Sequence, residues 1–162
     1  MKAVILAAGE SSRMWPLAQG KNKAMYEFMG KPLLYHAINE LKNSGVTDII
    51  IVLAAEDSLI MNYFKKGEQL GVKISYAIQI KALGMGNALL AASKFIKEDF
   101  FVVHGTHANC GEIIKRMLSE KKSFVLSARK TASPGNYGIL KLKGNKAIDL
   151  VEKPRKFIGN MK

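Results

Sequence analysis

The chain has little cysteine, little acid and no long apolar run. A single cysteine among 162 residues, Cys110, excludes an intramolecular disulfide and points to a reducing, cytoplasmic setting. The apolar stretch after Lys2 stops at Gly9, too short for a signal-peptide core or a membrane span. Only 13 acidic residues oppose 25 lysines and arginines, a formal net charge of +12. A phosphate-rich partner would account for that excess, and so would a lysine-rich solvated surface. The lysines are scattered and no basic stripe interleaves with aromatics, which argues against a nucleic acid as partner. What is present is ordinary for a soluble globular protein: 48% apolar and 23% charged residues, in a length suited to one domain over 1–162 with its own core.

The hydrophobic period alternates along the chain. Residues 2–7 (KAVILA), 48–54 (DIIIVLA) and 99–104 are apolar runs suited to strands covered on both faces, and 73–79 and 123–129 read as further strands. Residues 32–44 read as a helix: Leu33, Leu34, Ala37, Ile38 and Leu41 form one stripe, Pro32 suits the first turn and Gly45 stops it. Residues 57–70 (ended by Gly71), 85–96 and 111–121 are further helices. Residues 8–31 form a long loop with one turn of helix, and 137–151 a strand pair around Gly144-Asn145. Four strand–helix units in series predict an α/β, Rossmann-like three-layer α/β/α fold with a mostly parallel central sheet. The loops after residues 7, 54, 79 and 104 should converge at the carboxyl ends of the strands, where such sheets bind ligands.

The first of those loops carries chemistry. In "LAAGESSRMWPLAQGKNKAM", residues 6–25, a buried strand ends in small residues, followed by Gly9, Ser11, Ser12, Arg13, Lys21 and Lys23. Small residues let backbone N–H groups approach an anion, serine hydroxyls bind phosphate oxygens, and the cations neutralise charge. The glycine spacing fits neither the P-loop nor the dinucleotide fingerprint.

"LAAGESSRMWPL" resembles the signature of the sugar-1-phosphate nucleotidylyltransferases of the glucose-1-phosphate thymidylyl- and uridylyltransferase type. The likeness continues through Lys23, Gly30-Lys31-Pro32-Leu33-Leu34, Gln79, Gly84, Tyr137-Gly138 and Glu152-Lys153-Pro154, in order along the chain. It implies a nucleoside triphosphate and a sugar 1-phosphate as substrates, an NDP-sugar and pyrophosphate as products, a role in sugar nucleotide biosynthesis, and Mg²⁺ as cofactor. It further implies that Leu6, Ala8, Gly9, Ser11, Ser12, Gln79 and Gly84 hold the nucleotide and that Arg13 and Lys23 hold its triphosphate. Tyr137, Gly138, Glu152 and Lys153 would hold the sugar phosphate, with Arg13, Lys23 and Lys153 as the catalytic cations. The nucleophile is already a phosphate oxyanion, so catalysis is positioning plus neutralisation of crowded charge.

The pattern breaks at the metal. The family has Gly-Asp where this chain has Gly105-Thr106, and threonine is a poor sole anchor for Mg²⁺. A second family aspartate follows Glu-Lys-Pro, whereas this sequence stops at Lys162, so the likeness is to a short version lacking the C-terminal segment. An exposed edge at the 137–151 strand pair then predicts a dimer or larger. Ser11 stands where the family has glycine. His104-x-x-His107-x-x-Cys110 offers two imidazoles and a thiol to a softer metal, but His104 ends a strand and need not face His107, and polar residues beside an anionic ligand or a satisfied histidine are the more ordinary account. His36 reads as structural and the eight methionines as core filling. Three readings stay open: an active transferase, a catalytically silent nucleotide-binding relative, and, most distantly, a basic nucleic-acid-binding protein.

Overall fold

The computed structural model describes residues 1–9, 22–55 and 57–162. The chain runs through β1 (Lys2–Leu6), a short hairpin of β2 (Glu27–Phe28) and β3 (Lys31–Pro32), α1 (Leu33–Asn43), β4 (Asp48–Ala54), α2 (Ser58–Phe64) and β5 (Lys73–Gln79). It continues through α3 (Met85–Ala91), β6 (Phe100–His104) and α4 (Gly111–Ser119) to a hairpin of β7 (Gly138–Lys143) and β8 (Lys146–Glu152). Two compact units result, Met1–Arg116 and Met117–Lys162. No helix among the described residues is long and apolar enough to cross a membrane.

The first unit is built on a parallel four-stranded sheet in the order β5-β4-β1-β6. The chain steps outward from β1 to β4 to β5, then returns to the other side of β1 as β6. The winding therefore reverses between β1 and β6, the position at which open α/β sheets bind ligands. Successive side chains point to opposite faces, and both are buried. Val4, Ile50, Val52 and Ala77 cluster with Ala88 and Ala92 from α3 and the turn that follows it. Ala3, Ile5, Ile49, Ile51 and Leu53 on the other face are fully buried too, beneath the stripes of α1 (Leu34, Ala37, Ile38, Leu41) and α2 (Ile60, Phe64). Each such valine, leucine, isoleucine or phenylalanine contributes about 1.5–3 kcal/mol, and each alanine less.

An acid joins α1 to α4. Glu40 Oε2 accepts the Gly111 N–H at 2.7 Å, and the Ser44 hydroxyl donates to the Gly111 carbonyl at 3.3 Å. A Cβ at Gly111 would run into the Glu40 carboxylate. Cys110 is buried beside this contact; burial, and then the Glu40 charge, push its thiol up to about 11. The thiol therefore stays protonated at neutral pH. Its contribution to stability is present below the ordinary thiol value and is lost as pH rises from there through about 11. Iodoacetamide at pH 8 is expected to modify Cys110 only after unfolding in urea; rapid labelling of the native protein would contradict this.

Several expected elements differ. The helix expected over 57–70 ends at Phe64. Lys65 has φ +47° and Gly67 φ +82°, and a Cβ at Gly67 would lie 2.8 Å from Ile74 Cγ1, so the chain breaks to let β5 approach closely. The helix expected over 85–96 ends at Ala91 and passes into a 3-10 turn, Ser93–Phe95. Residues 8–31 hold the β2–β3 hairpin as well as a turn of 3-10 helix; Met29 and Gly30, both at positive φ, make a turn whose twist suits paired strands. Residues 123–129 form no strand. Phe124 is 78% exposed, and the pairing present there is an exchange of backbone hydrogen bonds between Arg129 and Lys162, both 2.9 Å. Apolar composition marks a β-competent segment, but a strand exists only where a neighbour supplies the ladder. β6 is buried on alternate residues only: Phe101 and Val103 are inside, Phe100 and Val102 outside, because it is an edge strand and α3 packs over β1, β4 and β5. The described methionines are not core filling: none is buried, and Met29, Met61 and Met85 are exposed. Strand valines and isoleucines with helix leucines fill the interior instead.

Candidate active site

A cavity of about 650 Å³ opens at the carboxyl end of the sheet, within the range of small-ligand sites. Its described lining comes from four places: Leu6–Gly9 after β1, Asn22–Ala24, Gln79 with Ala82, Gly84, Met85 and Ala88 around the start of α3, and His104–Thr106 at the end of β6.

Lys23 opens a 3-10 turn, Lys23–Met25, whose next residue, Ala24, is 1% exposed. The turn rests on the exit of β6. A Cβ at Gly105 would lie 3.2 Å from Ala24 Cβ and 3.3 Å from Ala7 Cβ. Gly105 is thus the point where three loops meet, and its lack of a side chain lets the Lys23 turn seat. His104 stands beside it. Partial burial of the imidazole, and then the Lys23 charge, hold His104 below the ordinary histidine value, so its ring is neutral at pH 7.

Gln79, 7% exposed, is the buried polar side chain of the wall. Its Nε2 donates to the Gly84 carbonyl at 3.1 Å and to Asn87 Oδ1 at 3.0 Å. A backbone carbonyl only accepts, which fixes the amide nitrogen on that side. Oε1 then carries the remaining hydrogen-bonding capacity of the side chain, as an acceptor. Gly84 has φ +94°, a conformation that favours glycine.

The donors do not fit Mg²⁺. The described lining offers two amides, an imidazole, a hydroxyl, backbone groups and a lysine ammonium, and no carboxylate; a hard cation of this size wants carboxylate oxygen. Nor does the histidine–cysteine series assemble a softer site. His104 and His107 meet edge to face, ring centroids 5.1 Å apart, while Cys110 is sequestered against Glu40. Among the described residues no three of His, Cys, Asp and Glu are grouped to hold a metal. His36 serves the fold, its Nε2 2.8 Å from the Phe28 carbonyl.

Of the residues implicated by sequence, Leu6, Ala8, Gly9, Lys23, Gln79, Gly84 and Thr106 are brought together on this cavity. Ser11, Ser12 and Arg13, like Lys21, lie outside the described residues. Tyr137, Gly138, Glu152 and Lys153 gather in the second unit. Gly138 pairs with Glu152 in the β7–β8 hairpin, whose turn is at Gly144-Asn145 as expected. The Lys153 N–H donates to the Tyr137 carbonyl at 3.0 Å, and Lys153 Nζ lies 3.8 Å from Glu152 Oε1. Lys162 Nζ sits 3.2 Å over the Tyr137 ring. Sequence reasoning missed Asn22 and Ala24, whose one available signal is adjacency to Lys23; His104, which the sequence offers to a metal or beside an anionic ligand, lines the cavity.

Residues 2–161 match the Nucleotidyl transferase family. The chain belongs to that family. It is 38% identical over 157 residues to the "Bifunctional protein GlmU" of Methanococcus maripaludis, covering 96% of this chain and 36% of that protein. It is 31% identical over 167 residues to the UTP–glucose-1-phosphate uridylyltransferase AglF of Haloferax volcanii, covering 99% of this chain and 68% of that one. The chain thus spans about a third of the length of GlmU. Its fold superposes with TM-score 0.83 on a crystal structure described as a glucose-1-phosphate thymidylyltransferase of Bacillus anthracis, at 26% identity over 99% of this chain and 68% of that one. A structure of UDP-glucose pyrophosphorylase at 22% identity, TM-score 0.82, shares the fold. Among the described residues the wall of this chain's cavity carries no carboxylate, and Thr106 stands at the exit of β6.

Proposed function

We propose that this chain binds a nucleoside triphosphate in the cavity above β1 and β6 and transfers its nucleotidyl group to a sugar 1-phosphate, releasing pyrophosphate. The observation that carries the reading is the convergence of Gly9, Lys23, Gln79, Gly84 and Thr106, from separate stretches of sequence, on one cavity at the reversal of the sheet. Gly9 and its neighbours admit the nucleotide close to the backbone, and the Lys23 ammonium meets the triphosphate. Gln79 Oε1, an acceptor, suits a base with a ring N–H on its pairing edge: uracil, thymine or guanine rather than adenine or cytosine. By the family resemblance Arg13 would meet the triphosphate with Lys23, and Tyr137, Gly138, Glu152 and Lys153 would hold the sugar phosphate. Among the described residues Mg²⁺ has no fitting ligand set, and no step is drawn through it.

The same wall favours a second reading, a silent nucleotide binder, because Thr106 stands where the family resemblance implies a metal aspartate. Pyrophosphate release from each nucleoside triphosphate, with a panel of sugar 1-phosphates and Mg²⁺, separates the two when Thr106→Asp is assayed beside the native chain. Turnover by the native chain supports the transferase. Turnover by the variant alone makes the native chain a binder. Turnover by neither, with no nucleotide bound in calorimetry, overturns both. The nucleic-acid reading would show as affinity falling steeply with salt, and among the described residues nothing beyond net charge favours it.

A further inference from the structure

A lysine that must meet a triphosphate in a fixed place needs support, and a three-residue 3-10 turn gives little alone. Asn22, immediately before Lys23, has its whole side chain engaged. Its Oδ1 accepts the Ala24 N–H at 3.0 Å, and its Nδ2 donates to the Ala7 carbonyl and, at 2.6 Å, to Asp57 Oδ2. The three partners belong to three segments. Ala24 is in the Lys23 turn. Ala7 follows β1, its own N–H donating to the Val52 carbonyl of β4 at 2.9 Å. Asp57 directly precedes α2.

Asp57 is the informative partner. It occupies the N-cap position of α2 yet makes no side-chain bond to that helix, although an aspartate cap is worth about 1 kcal/mol. Its carboxylate is turned to Asn22 instead. A local stabilisation has been forgone for a contact 35 residues away in sequence. The residue type at 22 follows from the partners: a carbonyl and a carboxylate require two donors, the Ala24 N–H requires an acceptor, and an amide carries all three in one plane. An aspartate at 22 would set carboxylate against carboxylate.

We propose that Asn22, braced by Asp57, is a positioning residue for Lys23: it holds the lysine turn against the ends of β1 and β4, so that the ammonium is in place before a nucleotide enters. This rests on the reading of the cavity as the nucleotide site. Asn22 also lines that cavity, but its polar atoms are committed to the protein, so its effect on a nucleotide passes through the lysine it orients. Preorganisation of this kind lowers the cost of ordering a long side chain on binding.

Double-mutant cycles test it. UTP, dTTP and GTP are titrated by calorimetry, with ligand-observed NMR for weak complexes, into the native chain, Asn22→Ala, Lys23→Gln and the double variant, each checked for folding by circular dichroism. Asn22→Ala is expected to weaken binding by about tenfold, the scale of one poorly ordered side chain, and to add less than twofold in the Lys23→Gln background. Asp57→Ala leaves the other two Asn22 bonds in place. It should behave likewise with a smaller loss, and it serves if Asn22→Ala does not fold. Full additivity of Asn22 or Asp57 with Lys23, or native affinity in both single variants, overturns the positioning role while leaving the nucleotide site standing. Absence of binding by the native chain overturns the site and, with it, this role.

Discussion

Lys23→Ala is expected to lower the rate of nucleotidyl transfer by on the order of 10²–10³, about 3–4 kcal/mol, the scale of losing one preorganised group aimed at developing charge. The proposed reaction would crowd a triphosphate against a second phosphate, so positive charge held in the cavity would be the protein's main contribution. Among the described lining residues, Lys23 is the cation. Its field already reaches the wall, where it helps hold His104 below the ordinary histidine value. That gives the variant a second readout: in Lys23→Ala the His104 resonance should titrate at higher pH than in the native chain. His104 with a depressed value contributes stability that is present above the ordinary histidine value and is lost as pH falls from there through its value in the fold; in Lys23→Ala that loss should be smaller and complete at a higher pH. Steady-state kinetics decide the main point. A loss of less than about threefold, against that expectation, would remove Lys23 from the chemistry; if the native chain only binds, the same comparison is made on nucleotide affinity.

The legible parts of this protein were those in which one residue type does one thing. Residues 48–54 and 73–79 were readable to the residue as strands, because buried parallel strands need unbroken or alternating apolar runs and little else does. The β7–β8 hairpin was readable from Gly144-Asn145, and its register brings Gly138 opposite Glu152. Strand exits at Gly9, Gln79 and Thr106 were readable because an α/β sheet sends its loops to one end. The illegible parts depend on partners distant in sequence. Gly67 could have closed a helix as readily as broken one, until Ile74 is seen against it. Residues 123–129 have a strand's composition and no ladder. Asn22 looked like one more polar residue in a lysine-rich loop; its partners Ala7 and Asp57 lie 15 and 35 residues away, and no spacing rule connects them.

Phe64→Ala should be the most damaging single change to the fold that leaves the cavity wall intact. Phe64 is fully buried and among the largest such side chains. It is also the last residue of α2, where the chain turns sharply toward β5. Its carbonyl takes two donors at that turn, the Gly67 N–H at 2.9 Å and Gln69 Nε2 at 3.1 Å. The turn beyond it is already tight: a Cβ at Gly67 would lie 2.8 Å from Ile74 Cγ1 and from Val72 Cγ2, which leaves the backbone little slack to close on the lost ring. A cavity therefore remains, and the cost is the transfer free energy plus the void, about 3–5 kcal/mol. For a chain of this length that corresponds to a fall of roughly 6–20 °C in the unfolding midpoint. Phe64→Leu, which keeps most of the volume, should lose about 1.5 kcal/mol or less. Phe64 does not line the cavity, so nucleotide affinity measured well below the midpoint should be native in both variants. A fall of less than about 3 °C in Phe64→Ala, against that scale, would mean that the α2–β5 junction repacks around the loss and that the Gly67 contact is softer than its geometry implies.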